Sequence, residues 1–279
     1  MKSYSFDSLS FHIKDKPEKK ISTPNRGLGK LGHHYINGTF QKTFNKKIST
    51  MKTILPVLCL FLVACLVVPS QAQDFRKLED FNEIAIAGKV EVTLMPADEN
   101  SATIYTEGIS SDDVTMYVKG NTLKVQLYES WLKDDEEARI EIKYKAINEL
   151  RVSAGAIATH EGTLKSDDLT LKVSSGAQLE ITVDAELLTA AVIEGAELTI
   201  SGQAGAQEVT AGTGGQYYGM SLECNTTEVN ANTGGEADVT AYEKLDANAN
   251  TGGIINYKGS PEMKSTRSFI AGDINKIQQ

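Results

Sequence analysis

From residue 150 onward, apolar side chains fall at every second position on either side of a Gly-small dipeptide, and the whole pattern recurs. The dipeptides are Gly155-Ala156, Gly176-Ala177, Gly195-Ala196, Gly214-Gly215, Gly234-Gly235 and Gly252-Gly253. The first interval is the longest and the last the shortest. Each repeat is counted from its first Gly as zero. Position −5 then reads Leu150, Leu171, Ala190, Val209, Val229, Ala247, and position −3 reads Val152, Val173, Val192, Ala211, Ala231, Ala249. Beyond the dipeptide, +3 reads Ala158, Leu179, Leu198, Tyr217, Ala237, Ile255, and +5 reads His160, Ile181, Ile200, Gly219, Val239, Tyr257. The positions between are mostly polar, such as Arg151, Lys172, Thr210, Asn230 and Asn248 at −4, or Thr159, Glu180, Thr199, Tyr218, Asp238 and Asn256 at +4. In-against-out at period two belongs to half-buried strands. A repeat of about 20 residues belongs to solenoids.

Each repeat therefore predicts two short strands meeting at a Gly-small corner, with the rest of the repeat forming a third short strand or a loop. Gly suits such a corner because it accepts unusual φ and leaves room for a neighbouring backbone. An antiparallel sandwich would instead show Asn-Gly or Asp-Gly tips about every 8–12 residues. Neither dipeptide occurs after residue 73. The expectation is an all-β chain forming a right-handed, single-stranded parallel β-helix (a solenoid) of about 19–20 residues per coil.

Residues 73–148 alternate as well but lack the short repeat. Residues 81–94 read as two strands at an Ala87-Gly88 corner, a first coil followed by a long insertion. Strands follow at 103–106, 114–118, 123–128 and 138–144, with a Gly120-Asn121 hairpin between the second and third. The acidic run 134–137 fits no calcium-loop template and reads as a solvated loop. This section is expected to cap the N-terminal end of the stack, because an uncovered end is an open sheet edge. Residues 260–279 would close the other end, with a partial coil at 270–274. Residues 149–279 hold the repeats, and 73–279 form one domain.

The segment before residue 73 differs. Residues 1–50 hold ten Lys/Arg against three acids and no apolar period, which reads as an over-extended start. Residues 51–72 carry Lys52, an apolar run from 54 to 68, and Ser70-Gln71-Ala72, the three parts of a signal peptide. Leu62-Val63-Ala64-Cys65 also matches a lipobox, the minor alternative of lipidation at Cys65. Export is thus expected, to the periplasm, the outer-membrane surface or the outside, with no membrane span in the mature chain.

Charge narrows the partners. Residues 73–279 hold 17 Lys/Arg and 34 Asp/Glu, a net charge of −17. Such a chain repels nucleic acid and anionic membrane surfaces. Catalytic constellations are sparse. His160 and Cys224 are the single His and Cys after residue 73, which leaves no His/Cys zinc site. Carboxylates in matching columns are interrupted: Glu180 and Asp238 by Thr199 and Tyr218, and Glu197 and Glu236 by Gln216. Asp167, Asp168 and Asp184 share the third side without a Lys or Arg column. His160 reads as a core or end-cap residue and Cys224 as a small core residue. The reading calls for no catalytic residue, cofactor or metal.

The candidate binding surface is the outward face of the later repeats. Asn230/Asn248 and Asn232/Asn250 fall in matching columns, able to form amide ladders or to offer a polar array to a glycan. Of Tyr217 and Tyr218, one must point outward and would suit sugar stacking.

Three segments together resemble one family. They are Phe-x-x-Ile-x-x-x-Gly-x-Val-x-Val at 81–92, Leu-x-Val-Ser-x-Gly-Ala at 150–156 and 171–177, and Tyr257-x-Gly259-x-Pro261 followed by a Ser-rich stretch and Gly272. In this order they resemble the putative auto-transporter adhesin, head GIN domain family. The resemblance implies exported β-helical proteins of Gram-negative bacteria with an adhesion role, and carries over no catalytic residues. No coiled-coil stalk or C-terminal membrane barrel accompanies it here, so self-secretion is not expected. The resulting expectation is an exported, non-catalytic surface protein that binds a glycan or an envelope protein, or scaffolds at the envelope. A polysaccharide-active lyase or hydrolase and a purely structural envelope protein are its two rivals.

Overall fold

The computed structural model describes residues 72–127 and 137–278. The readings at 1–50, all of the 51–72 leader but Ala72, Cys65 within it, and the acidic residues 134–136 lie outside these. The strands are β1 Ala72–Lys77, β2 Glu83–Gly88, β3 Glu91–Pro96, β4 Ser101–Glu107, β5 Thr115–Lys119, β6 Thr122–Leu127, β7 Glu137–Tyr144 and β8 Glu149–Ser153. The long strands β9 Ile157–Val173, β10 Gln178–Ile193, β11 Glu197–Gly212 and β12 Gln216–Asn232 follow. After them come β13 Glu236–Thr240, β14 Lys244–Asn250, β15 Ile254–Lys258, β16 Met263–Phe269 and β17 Asp273–Lys276. They stack into a β-solenoid of about seven turns.

Parallel pairing holds the repeats in the register of the Gly corners. Leu179 lies over Ala158, Leu198 over Leu179, and Tyr217 over Leu198. The side between corners is strand too, so β9–β12 run 16 or 17 residues and bend without leaving the ladder. Extra residues are absorbed as local bulges. The longest coil bulges between Thr159 and Thr163, and the next longest between Tyr218 and Ser221. The −5 and −3 columns are buried throughout, and so is +3. Each fully buried Leu, Ile or Val contributes about 1.5–3 kcal/mol, repeated in every coil.

The corner separates two demands that share one dipeptide. The residue before the Gly and the Gly itself both take positive φ: Ser175 55° and Gly176 70°, Thr213 51° and Gly214 74°, Thr233 49° and Gly234 72°. The next N–H closes the turn on the −2 carbonyl, as in Gly235 to Asn232 at 2.9 Å. This is the type I′ arrangement familiar from hairpins, here joining two faces of a coil. A Cβ on Gly176 or Gly214 would meet nothing within 4 Å, so Gly serves its conformation there. A Cβ on Gly215, Gly235 or Gly253 would lie 2.1, 2.4 or 2.3 Å from the −3 carbonyl oxygen of the preceding coil. Close approach governs the second position at these three Gly-Gly corners, whereas Ala156, Ala177 and Ala196 place a buried Cβ there in the first three. Each corner Gly N–H also donates to the −1 carbonyl of the next coil, as in Gly195 to Thr213 at 3.1 Å, which keeps corner over corner.

The N-terminal section caps the stack, but its order in space is not its order in sequence. β2 and β3 form the coil expected at 81–94. The insertion then folds back, so that β6 pairs with β2 and β7 with β3 on the side away from β8 and β9. Antiparallel pairs finish the end: β5 on β6 across Gly120-Asn121, and β1 on β4 on β7. At the other end a last corner stands where the partial coil was expected, between β16 and the short β17. β16 and β17 flank a corner at Ile270, φ 42°, and Ala271, φ 60°. Most lumen-side positions of these two strands turn polar: Lys264, Thr266, Ser268 and Lys276 stand over Leu245, Ala247, Ala249 and Tyr257, while Ile274 stays apolar over Ile255.

Candidate binding face

The alternation sends Tyr217 inward and Tyr218 outward, so the structure removes Tyr217 from the candidate surface. Tyr217 is fully buried, and its O–H donates to Gln207 Oε1 at 2.7 Å. Gln207 Nε2 donates to Thr227 Oγ1 at 3.0 Å and to the Thr240 carbonyl at 3.3 Å. Thr227 Oγ1 donates to that same carbonyl, and Thr240 Oγ1 to the Met220 carbonyl. Every side chain in this lumen network has a partner, as buried polar groups require. Burial pushes the Tyr217 phenol far above its usual range, with Cys224 adding to the effect. The bulge at Gly219 makes room, since a Cβ there would lie 2.3 Å from the Tyr217 ring. The sequence carries a signal for this network: from the second repeat on, position −7 reads Leu169, Leu188, Gln207, Thr227, Leu245.

Tyr218 stands on the face after the corner, 37% exposed. Partial desolvation raises its pKa, and Glu197, Glu236 and Asp238 raise it further. The phenol is thus held as a donor beside three carboxylates. Its column continues through Asp238, Asn256 and Asn275. Asn256 Nδ2 donates to Asp238 Oδ1 at 2.9 Å and to Glu236 Oε1 at 3.4 Å, and Asn275 Nδ2 to Asn256 Oδ1 at 3.3 Å. An open groove of about 700 Å³ meets this column at Asp238 and Asn256, with Met220, Lys258, Ile277 and Gln278 completing its lining.

The Asn columns singled out in the sequence lie on the face before the corner, not beside Tyr218. Asn230 pairs with Asn248 and Asn232 with Asn250 in register. All four are half-buried. Asn248 Nδ2 donates to Asn230 Oδ1 at 3.4 Å, the start of an amide ladder. Asn248 Oδ1 is out of reach of solvent and has no partner among the described residues. Asn230 and Asn248 thus bond within their own stack, whereas Asn250 Oδ1 accepts from Thr251 Oγ1 at 3.2 Å.

The remaining candidates are dispersed. By coil spacing Glu180 and Asp238 are three steps apart, about 14 Å, and Glu197 and Glu236 two steps, about 10 Å. Asp184 gains a cation that the columns did not suggest, Lys165 at 3.4 Å. A hydrogen bond from Gln203 and then this Lys hold its carboxyl below the usual range. Asp167 and Asp168 are exposed. His160 is half-buried with both ring nitrogens engaged: Nδ1 with the Gly162 carbonyl at 3.2 Å and Nε2 with the Tyr144 hydroxyl. The Gly162 carbonyl can only accept, so Nδ1 carries a proton, and in the neutral ring that burial favours Nε2 accepts from the Tyr144 hydroxyl. Burial lowers the His160 pKa and pushes Tyr144 up to about 12. Cys224 is buried, its thiol pKa raised by desolvation, and Sγ donates to the Thr226 carbonyl at 3.1 Å. Among the described residues no group of three or more His, Cys, Asp or Glu is placed to hold a metal.

Stacked coils with side-chain ladders on flat faces define the class: a β-solenoid that presents repeated surface columns. The chain belongs to the putative auto-transporter adhesin, head GIN domain family, whose profile matches residues 80–261. No curated protein matches it. Solved structures share the fold. One is a putative adhesin from Bacteroides fragilis, 20% identical, TM-score 0.67, covering 75% of this chain and 98% of that one. A second is a putative adhesin from Parabacteroides distasonis, 17% identical, TM-score 0.62, with coverage of 75% and 97%. A third, from the same organism, is described as a putative lipid binding protein, 18% identical, TM-score 0.61, with coverage of 75% and 98%. No helix among the described residues is long and apolar enough to cross a membrane.

Proposed function

We propose that this chain is an exported, non-catalytic binding protein of the cell envelope, and that it takes glycans along the face bearing Tyr218. The observation that carries this reading is the column itself. An exposed aromatic ring sits beside Glu197, Glu236 and Asp238, with Asn256 bridging two of those acids and an open groove alongside. A ring face offers stacking to the apolar face of a sugar, and acids and amides fix hydroxyls by hydrogen bonds. Membership of an adhesin-head family supports a binding role. His160 has both ring nitrogens occupied, the Cys224 thiol is buried, and the acids beside Tyr218 are bridged by an amide rather than paired with a base, so the side chains present favour binding over turnover.

Glycan-array binding followed by titration tests this. Tyr218→Ala is expected to raise the dissociation constant by about tenfold or more, with no sugar released. Cleavage of a bound glycan that is lost on Asp167→Asn or Asp168→Asn would overturn it in favour of a polysaccharide-active enzyme.

A further inference from the structure

β16 is exposed at every residue and pairs only with β14, so its far edge is open among the described residues. Met263 N–H donates to the Glu243 carbonyl at 3.0 Å. By alternation along a strand, the N–H and C=O groups of Lys264, Thr266 and Ser268 point to the open edge. We propose that this edge docks the β16 edge of a second copy, as an antiparallel pair centred on Thr266.

Self-complementarity selects both the occupant and the register. Centred on Thr266, the edge groups of Thr266 face those of the other Thr266, and Lys264 faces Ser268, so each of these residues gives and accepts one bond. On the outer side Met263 stands opposite Phe269 and Ser265 opposite Arg267. Met263 and Phe269 are 61% and 56% exposed in the single chain, the two large apolar side chains of this strand. Pairing covers each with the other, and thioether-on-ring contact is favourable. No like charges meet. A slip of two residues one way sets Arg267 on Arg267, and the other way leaves Phe269 without a partner. Like charges directly opposite destabilise a strand pair. Lys264 on the lumen side also opposes unrelated strands, which confines the edge to partners that place a small polar residue there. The interface is one strand pair wide, so it gives a weak, concentration-dependent dimer. It is tested apart from glycan binding, since Tyr218 lies on the face after the corner and β16 on the face before it.

The full chain is the material for the test. Thr266→Cys is expected to form an intermolecular disulfide on a non-reducing gel, at least about tenfold above the unsubstituted chain and above Met263→Cys, whose sulfurs would lie about 20 Å apart. Sedimentation should show the dimer weakened by Thr266→Pro, which removes an edge N–H but no bond to β14. The double variant M263E/F269K should dimerise better than either single variant, and less so in high salt. A monomer at all concentrations, a dimer indifferent to Thr266→Pro, or equal cross-linking at 263 and 266 would overturn the proposal. Head-to-tail stacking onto the N-terminal edges would also overturn it, because it leaves Thr266→Cys uncross-linked.

Discussion

His160 illustrates how a single residue reports the constraints of the fold. It occupies the +5 column where Ile181, Ile200 and Val239 stand in later coils, at a bulge that lets its ring reach both Tyr144 and the Gly162 carbonyl. Burial holds its folded pKa below 6.5. The unfolded chain therefore takes up the proton first as pH falls. Stability from this site is full above about pH 6.5 and declines as pH drops toward the folded pKa. Thermal melts between pH 7 and 5 should show a falling midpoint, and His160→Gln, which keeps an acceptor for Tyr144, should flatten that slope. Glu149 acts in a separate window. Partial burial would raise its pKa, but hydrogen bonds from Arg151 and Lys172 outweigh it and the net shift is downward. Its contribution is present above about pH 4.5 and lost as pH falls through the folded value. At this scale the alternation of each strand was legible, but the choice between Tyr217 and Tyr218 took the structure, which buries Tyr217. The partners were not legible. Nothing local to Tyr217 names Gln207, ten positions earlier on another side of the same coil.

At the scale of the element, the Gly-small corner is where local conformation and stacking meet. A period-two pattern showed where strands lie, and the dipeptide showed where they turn. It did not distinguish why the two residues are small, because one reason is torsional and the other is the neighbouring coil. The two reasons predict different costs. Gly214→Ala places an L-residue at φ +74° in open space and should cost about 1–2 kcal/mol. Gly215→Ala drives a Cβ to 2.1 Å from the Val192 carbonyl oxygen, so a whole coil must shift. Its cost should be greater, about 1–3 kcal/mol or more from overpacking. Urea denaturation of the pair checks the ranking; equal or reversed costs would show that stacking does not govern the second position. The N-terminal insertion was less legible. Strands β4 to β7 alternate as they should, but pairing β6 with β2 depends on distant backbone, and alternation carries no address for a partner.

For the whole molecule, a solenoid couples each coil only to its neighbours, so stability varies along the stack. β10 and β11 lie between long parallel partners on both sides, whereas β16 is exposed along its length and β17 nearly so. Hydrogen exchange should be slowest in β10 and β11 and fastest in β17 and β16. Uniform exchange along the stack would contradict this, and slowing of β16 at high protein concentration would accompany the edge pairing. The net charge of −17 on residues 73–279 keeps such long sheets apart except where charges are matched.

The amino-acid pattern alone established the all-β repeat, its period, the inward columns and the corner positions. Each of these depends on residues close in sequence, where period and φ preference act directly. Tertiary structure decided the rest: that the insertion folds back beneath β2 and β3, that Tyr217 is hydrogen-bonded to Gln207 inside the lumen, and that Tyr218 and the Asn columns look out from different faces. Those outcomes rest on contacts between distant segments, which the chain brings together only by coiling and stacking.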